Sequence, residues 1–352
     1  MTRRGWHESD VRLIERAWYD DGVVAGGARA LLAPVEALYA TGVSLRNALY
    51  DAGRLAQHGT ALPALSVGNL SVGGTGKTPV AAWLAQQFVT RGASPAIVLR
   101  GYGSDESLVH ERLNPTVPVI ISPDRVAGSA RARAAGADVV VFDDAFQHRR
   151  ASRLADIVVV SADQWARSRR LLPAGPLREP LRALRRATLV LITRKAASPE
   201  AASTVSTEIA GVAPAVPRTL VHLALDMLRS ATDTDAPRRI ASLAGSAVLA
   251  VSAIGNPRAF AAQLEAAGAR VQSAPFADHH AYTGADALRL ARAADGFELV
   301  VCTLKDAVKL ARVWPRQAVP LWYVSQQLVA EHGGAAVDAA LQTVLDARPL
   351  HT

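Results

Sequence analysis

An α/β fold with a mostly parallel sheet is predicted by three features of the 352-residue sequence. Short apolar runs alternate with alanine- and arginine-rich segments of helical period. The first run leads directly into a glycine-rich stretch, and a later run ends in two adjacent aspartates. Runs that are apolar throughout belong to strands covered on both faces, and the helices between them return the chain for parallel pairing.

The elements follow in order. Residues 30–50, ALLAPVEALYATGVSLRNALY, place Leu31, Val35, Leu38, Leu45 and Leu49 at three-, four- or seven-residue spacing, with Glu36 and Arg46 as the charges. This is an amphipathic helix, either packed on a domain or lying at a membrane surface. Pro34 is expected to start or kink it. Buried strands are expected at 64–68, 95–99, 117–121, 138–142, 156–160 and 188–192, which together make a doubly wound domain. Residues 195–218 are small and polar and contain three prolines, so they read as a helix with loose flanks between two halves. Further strands at 219–225, 247–253, 298–302 and 320–324 predict a second, smaller α/β domain. The expected divisions are an N-terminal region over 1–60, a first domain over 61–215, and a C-terminal domain over 216–352 whose last helices pack back on the first.

Composition narrows the function classes. Half the residues are hydrophobic and 20% are charged, which excludes a disordered chain. The single cysteine, Cys302, lies in the apolar run Leu299-Val300-Val301-Cys302 and reads as a core residue. It permits no intrachain disulfide and fits a reducing compartment. The net charge of +8 and isoelectric point near 10.1 point to anionic partners. Neither an RNA-binding aromatic motif nor a helix-turn-helix pattern is evident, so nucleic acid is not expected. The charged start MTRRGWHESDVRLIER predicts no secretory signal, and the lack of 18 consecutive uncharged apolar residues predicts no spanning helix.

Residues 66–80, SVGNLSVGGTGKTPV, resemble the phosphate-binding pattern G-x-x-x-x-G-K-[ST], except that Ser71 stands where the first glycine belongs. Such a loop wraps phosphates with backbone N–H groups and aims a helix N-terminus at them. Gly73, Gly74 and Gly76 supply the permissive backbone, with Ser71, Val72 and Thr75 completing the loop. Lys77 would reach the β- and γ-phosphates of a nucleotide, and the Thr78 hydroxyl would bind Mg²⁺. Pro79 is tolerated in the first turn of the helix. The strand before the loop and the helical spacing of Val80, Ala81, Leu84 and Phe88 after it favour this reading over a surface turn with an exposed lysine.

Asp138-Val139-Val140-Val141-Phe142-Asp143-Asp144 is a strand ending in two carboxylates, where a phosphate-loop protein keeps its Mg²⁺-side aspartate. Neighbouring side chains on a strand point to opposite faces, so one of Asp143 and Asp144 serves the metal and the other is free for another role. Phe146-Gln147-His148-Arg149-Arg150 follows directly. Residues 165–186 hold seven arginines around LLPAGPLREP, a solvated face or a grip for an anionic substrate. Ala277-Asp278-His279-His280 is either structural or a means of polarising a nucleophile; as a zinc site it lacks spaced partners.

These pieces together resemble the tetraacyldisaccharide 4'-kinase family, the lipid A kinases. The likeness runs through GNLSVGGTGKTP (68–79), RGYG (100–103), DDAFQH (143–148), LPAGPLREP (172–180), IGNP (254–257), FADHH (276–280) and TLKDAVKL (303–310), in order and over most of the chain from about residue 30. The family's loop commonly carries Ser or Thr at the place of Ser71. The resemblance implies a P-loop NTPase-like doubly wound domain, a second α/β domain with a cleft between the two, and a membrane-associated N-terminal helix. It implies transfer of the ATP γ-phosphoryl group to the 4'-hydroxyl of tetraacyldisaccharide 1-phosphate, giving lipid IVA, with ATP and Mg²⁺ required. The expected place is the cytoplasmic face of the bacterial inner membrane, peripherally bound, with an anionic glycolipid substrate and no obligate protein partner. Lys77 is then catalytic together with Asp105 and His279, which pair to accept the hydroxyl proton. Thr78, Asp143 and Asp144 hold the metal, and Arg178, Glu179 and His148 face the substrate. Two departures stand out. The segment that separates RGYG from an acidic pair in the family is missing before Asp105-Glu106, and Leu304 replaces a family glutamate. They motivate the alternatives of a family member that binds without transfer, or another P-loop NTPase.

Overall fold

The computed structural model describes residue 18 and residues 22–101, 105–165, 168–232, 235–255, 257–278 and 280–348. In chain order the elements are α1 (Val23–Asp51), β1 (Ala64–Gly68), α2 (Lys77–Thr90), β2 (Pro95–Leu99), α3 (Asp105–Leu113), β3 (Val119–Ile121), α4 (Arg125–Ala134), β4 (Val139–Asp143), β5 (Ala155–Ser161), β6 (Leu189–Arg194) and α5 (Pro199–Val212). They continue with β7 (Arg218–Ser230), β8 (Arg238–Arg239), β9 (Ala247–Ser252), α6 (Pro257–Ala266), β10 (Arg270–Pro275), α7 (Gly284–Ala293), β11 (Leu299–Cys302), α8 (Leu304–Leu310), β12 (Leu321–His332) and α9 (Gly334–Asp346). Two compact units result. The first takes the chain up to Arg100 with 117–221 and from Ala330 onward; the second takes 101–116 and 222–329. The second unit begins near the expected residue 216 and α9 returns to the first unit, while α3 sorts with the second. Asp338 of α9 pairs with Arg91 at 2.6 Å, and Arg348 beyond it pairs with Asp138 at 3.2 Å.

In the first unit the strands run in the order β6-β5-β1-β4-β2-β3, all parallel. Strands β1, β2 and β4 are buried along their whole length, which is why their residues are apolar on both faces. Helix α2 lays Val80, Ala81, Leu84, Ala85 and Phe88 against the sheet. On another side, Leu184, Val190, Ile192, Val205 and Ile209 form a continuous cluster. Val67 lies opposite Asp143 in the ladder, so the ends of β1 and β4 are level. This register sets the glycine loop beside the two aspartates, at the carboxyl edge where open α/β sheets bind ligands.

The second unit has the order β10-β9-β11-β12-β7, with β8 antiparallel on β7. β9 pairs in parallel with β10 and β11, and β11 with β12. Cys302 is fully buried among Leu249, Val251, Tyr282 and Leu310, as a core residue should be. The sequence gives no sign of β10 because it is an edge strand whose residues are mostly exposed and need no apolar run.

Helix α1 begins at Val23 and runs on through Pro34, so the proline does not start it. The carbonyl that loses its partner belongs to Ala30, an exposed residue open to solvent.

One close approach fixes the end of β1. A Cβ added at Gly68 would lie 2.4 Å from the Phe146 Cβ and 2.7 Å from its backbone nitrogen. Gly68→Ala is expected to destabilise the first unit by about 1–3 kcal/mol, as overpacking against backbone does. Chemical denaturation should show this as a lowered midpoint with little change in slope.

Candidate active site

The glycine loop is held from three directions. Asn69 Nδ2 donates to the Ser71 carbonyl at 2.7 Å and to the Thr75 hydroxyl at 3.0 Å. The Thr193 hydroxyl, at the end of β6, donates to the Thr75 carbonyl at 3.0 Å. The third support is the segment after Pro173: Val72 N–H donates to the Pro176 carbonyl at 2.8 Å, and Arg178 N–H to the Leu70 carbonyl at 2.6 Å. Ser71 thus sits in an antiparallel bridge with Leu177. Its backbone does not enter the left-handed region, which at Gly73 and Gly76 is occupied with φ of 115° and 91°. Glycine is required at those two positions and not at 71. Gly76 precedes α2 without a side-chain cap, so the first N–H groups of the helix face the loop.

At the end of β4 the chain turns sharply. Asp144 adopts φ of 50°, the left-handed region that aspartate tolerates better than most residues. This swings its carboxylate away from that of Asp143. Lys77 Nζ lies 3.5 Å from Asp144 Oδ1, and Arg178 donates to both carboxylate oxygens at 3.0 and 3.1 Å. Burial pulls the Lys77 ammonium below its ordinary pKa, and Asp144 only partly opposes this. Burial alone would raise the Asp144 carboxyl, but Lys77 and Arg178 outweigh it and hold the group below the usual range. Asp143 is buried at the strand end, and its carbonyl accepts from Arg125 at 2.9 Å.

The following turn locks this arrangement onto β1. Ala145 N–H donates to the Val67 carbonyl at 3.2 Å, and Gln147 Nε2 to the Asn69 carbonyl at 2.9 Å. His148 is half-buried beside it, and its Nε2 is without a hydrogen-bond partner among the described residues. Burial, with Arg125 and Arg153 nearby, lowers its pKa from 6.5 to about 4, so the ring is neutral at neutral pH. Glu179 is almost fully buried; Asn47 donates to its Oε2 at 2.7 Å and Arg186 pairs with it at 3.0 Å. Its carboxylate is therefore engaged in joining α1 to the arginine-rich segment.

Asp105 opens α3 in the second unit, buried, with its Oδ2 3.8 Å from Lys309 Nζ. His279 lies outside the described residues. The next residue, His280, pairs with Asp286 at 3.2 Å and forms a three-ring cluster with Phe276 and Tyr282. Leu304 packs against the apolar cluster of this unit, so the position of the family glutamate carries an apolar contact here.

Lys77, Thr78, Asp143, Asp144 and Arg178 all belong to the first unit, gathered at the ends of β1 and β4. Asp105 belongs to the second. Sequence reading missed Asn69 and Thr193, whose roles depend on partners 6 and 118 residues away. Only the place of Asn69 inside the glycine-rich stretch hinted at its part.

A parallel sheet with a glycine loop, a lysine at the following helix N-terminus and aspartates on the adjacent strand defines the P-loop phosphate-binding class. The chain belongs to the tetraacyldisaccharide-1-P 4'-kinase family, whose model matches residues 28–111 and 104–346. Tetraacyldisaccharide 4'-kinase of Halorhodospira halophila is 39% identical, with 94% of this chain and 97% of the relative covered. That of Anaeromyxobacter sp. strain Fw109-5 is 36% identical over 94% and 97%. The crystal structure of LpxK from Aquifex aeolicus in complex with ATP has a TM-score of 0.71 and 26% identity, with 90% of this chain and 99% of that one covered.

The buried neutral histidine has a pH signature. Folded His148 takes up its proton only near pH 4, whereas in the unfolded chain it does so near 6.5. Its contribution is present above pH 6.5 and is lost as pH falls toward 4. His148→Gln should therefore flatten the fall in thermal stability across that window, measured by unfolding scans at several pH values.

Proposed function

We propose that the chain transfers the γ-phosphoryl group of ATP to the 4'-hydroxyl of tetraacyldisaccharide 1-phosphate. The observation that carries this reading is the Lys77–Asp144–Arg178 cluster beside an uncapped helix N-terminus, in a chain that matches kinases of that name over nearly its whole length.

In this reading residues 71–78 hold the phosphates of ATP. Lys77, released from Asp144, neutralises charge on the β- and γ-phosphates, and Arg178 supplies a second cation. Thr78 and Asp143, hard oxygen donors at the loop and at the strand end, fit Mg²⁺, which needs few protein ligands when phosphates and water complete its shell. Asp144 joins them or orients a bound water. When bound, Mg²⁺ neutralises the developing charge on the phosphates. His148, neutral, is suited to hydrogen bonding on the substrate side. Glu179 acts there by holding Arg186 and α1 in place. Asp105, with His279, accepts the proton of the acceptor hydroxyl.

Helix α1 supplies attachment to the membrane surface. One side is tied down: Glu36 pairs with Arg170 at 3.0 Å, the Tyr39 hydroxyl donates to the Arg178 carbonyl at 2.9 Å, and Arg46 donates to the Gln147 carbonyl at 2.8 Å. The other side leaves Leu31 and Leu38 exposed at 83% and 74%, with Val35 and Leu45 beside them. At 29 residues α1 is long and apolar enough to cross a bilayer by length and composition alone. Its polar anchors on the first unit favour instead a helix lying in the interface, apolar side down. The helix then shares residues with the site, since Asn47 and Tyr39 touch Glu179 and Arg178. A peripheral place on the cytoplasmic face of the bacterial inner membrane follows, where ATP and an anionic glycolipid meet.

The deciding experiment is transfer of ³²P from γ-labelled ATP to tetraacyldisaccharide 1-phosphate in mixed micelles with Mg²⁺. Labelled lipid is expected from the wild type, and Lys77→Ala should reduce it about a thousandfold. ATP binding without any transfer would replace this reading with that of a binding-only family member. Leu31→Ser with Leu38→Ser and Leu45→Ser should weaken sedimentation with anionic vesicles at least about tenfold, given the transfer energy of three leucines. Binding of ATP should be unchanged.

A further inference from the structure

Asp105 is approached by a lysine of α8. Helix α8 is capped by Thr303 and carries Asp306 and Lys309 on successive turns. Asp306 is fully buried and accepts from Ala253 N–H at 3.1 Å, the Tyr282 hydroxyl at 3.0 Å and the Thr303 hydroxyl at 2.6 Å. It therefore ties together the end of β9, the segment that follows His279, and the start of α8. On the next turn Lys309 lies over the Tyr282 ring, 5.6 Å from its centroid, with Nζ 3.8 Å from Asp105 Oδ2. The two side chains are only 13% and 7% exposed. Lys309 Nζ makes no hydrogen bond among the described residues.

A buried ammonium with unfilled donors is costly, and an apolar side chain would fill the space without that cost. What the lysine adds is charge beside two carboxylates, Asp306 on its own helix and Asp105 of α3, and Asp306 is already filled by three hydrogen bonds. The 3.8 Å spacing is an ion pair short of a hydrogen bond, so it orients Asp105 while leaving the oxygen able to take a proton. We propose that Lys309 is a positioning residue for the transfer reaction: seated on the Asp306–Tyr282 hub, it fixes the place of the Asp105 carboxylate that takes the acceptor's proton. This rests on the reading of Asp105 as the proton acceptor. In the step it supports, the acceptor oxygen forms a bond to the γ-phosphorus and gives its proton to Asp105. The bond from that phosphorus to the bridging oxygen breaks, and its electron pair leaves with ADP.

The test is a double-mutant cycle on the full chain, with kcat, the KM for ATP and the thermal midpoint measured for Lys309→Met, Lys309→Arg, Asp105→Asn and Lys309→Met/Asp105→Asn. Expected are a fall in kcat of at least about tenfold for Lys309→Met with the KM for ATP within about twofold, and recovery of several-fold by Lys309→Arg. In the Asp105→Asn background, Lys309→Met should add no further loss. A Lys309→Met enzyme with wild-type kcat, or losses that multiply in the double variant, would overturn the inference while an impaired Asp105→Asn left the base in place. Wild-type turnover by Asp105→Asn would instead remove the base itself, and Lys309 with it. Should Lys309→Met lower the thermal midpoint sharply, Lys309→Arg decides: a stable but unrecovered variant overturns the inference, and a recovered one supports it.

Discussion

The buried ammonium of Lys77 is the constraint around which the first unit is organised. It lies at a helix N-terminus, whose dipole also favours negative charge, and close to the Arg178 guanidinium. So much positive character in a partly dry site needs an anion, and within the protein that anion is Asp144. The left-handed backbone at Asp144 follows from this requirement, because a residue continuing the strand would direct its side chain elsewhere. The turn that results carries Phe146 onto Gly68 and Gln147 onto Asn69. Arg178 in turn brings its own segment alongside residues 70–72. A triphosphate arriving at the loop offers the same cations a denser negative charge, so the internal pairing resembles the bound state and costs little to exchange.

The same segment links the site to α1. Glu179, next to Arg178, is buried against Asn47 of the helix and Arg186 of the arginine-rich stretch. The arginines that gave the sequence its basic balance are thus of two kinds. Arg149, Arg153, Arg178 and Arg186 are committed to carboxylates and carbonyls of the first unit. Others remain exposed: Arg182 donates to the Ser44 hydroxyl of α1, and Arg185 to the Val212 carbonyl of α5.

Much of the fold was legible because a strand buried on both faces has to be apolar throughout. Ten strands announced themselves as apolar runs, most within a residue or two, while the two-residue β8 and the edge strand β10, which can be polar, did not. The core of the site was legible for a similar reason. Few sequences other than a phosphate loop place Gly, Lys and Thr in a row between a buried strand and a helix. What the sequence could not disclose were tertiary relations. The extended bridge that makes serine acceptable at position 71 depends on Leu177, and the loop's rigidity on Thr193. The burial of Glu179 depends on Asn47, so a motif residue that read as substrate-facing has its carboxylate occupied within the protein. Membership of α3 in the second unit, and the approach of Lys309 to Asp105, depend on packing between segments about two hundred residues apart.

The central claim, that the glycine loop binds nucleotide phosphates through Lys77, is tested most directly by covalent labelling. A lysine with a lowered pKa is unusually reactive toward amine acylating reagents at neutral pH. Labelling would be quantified at Lys77 by peptide mass mapping, with and without Mg²⁺-ATP, using Lys305 as an internal reference. The account predicts that saturating nucleotide protects Lys77 strongly while Lys305 is labelled alike in both samples. Equal labelling of Lys77 with and without nucleotide, under conditions where ATP is turned over, would contradict it.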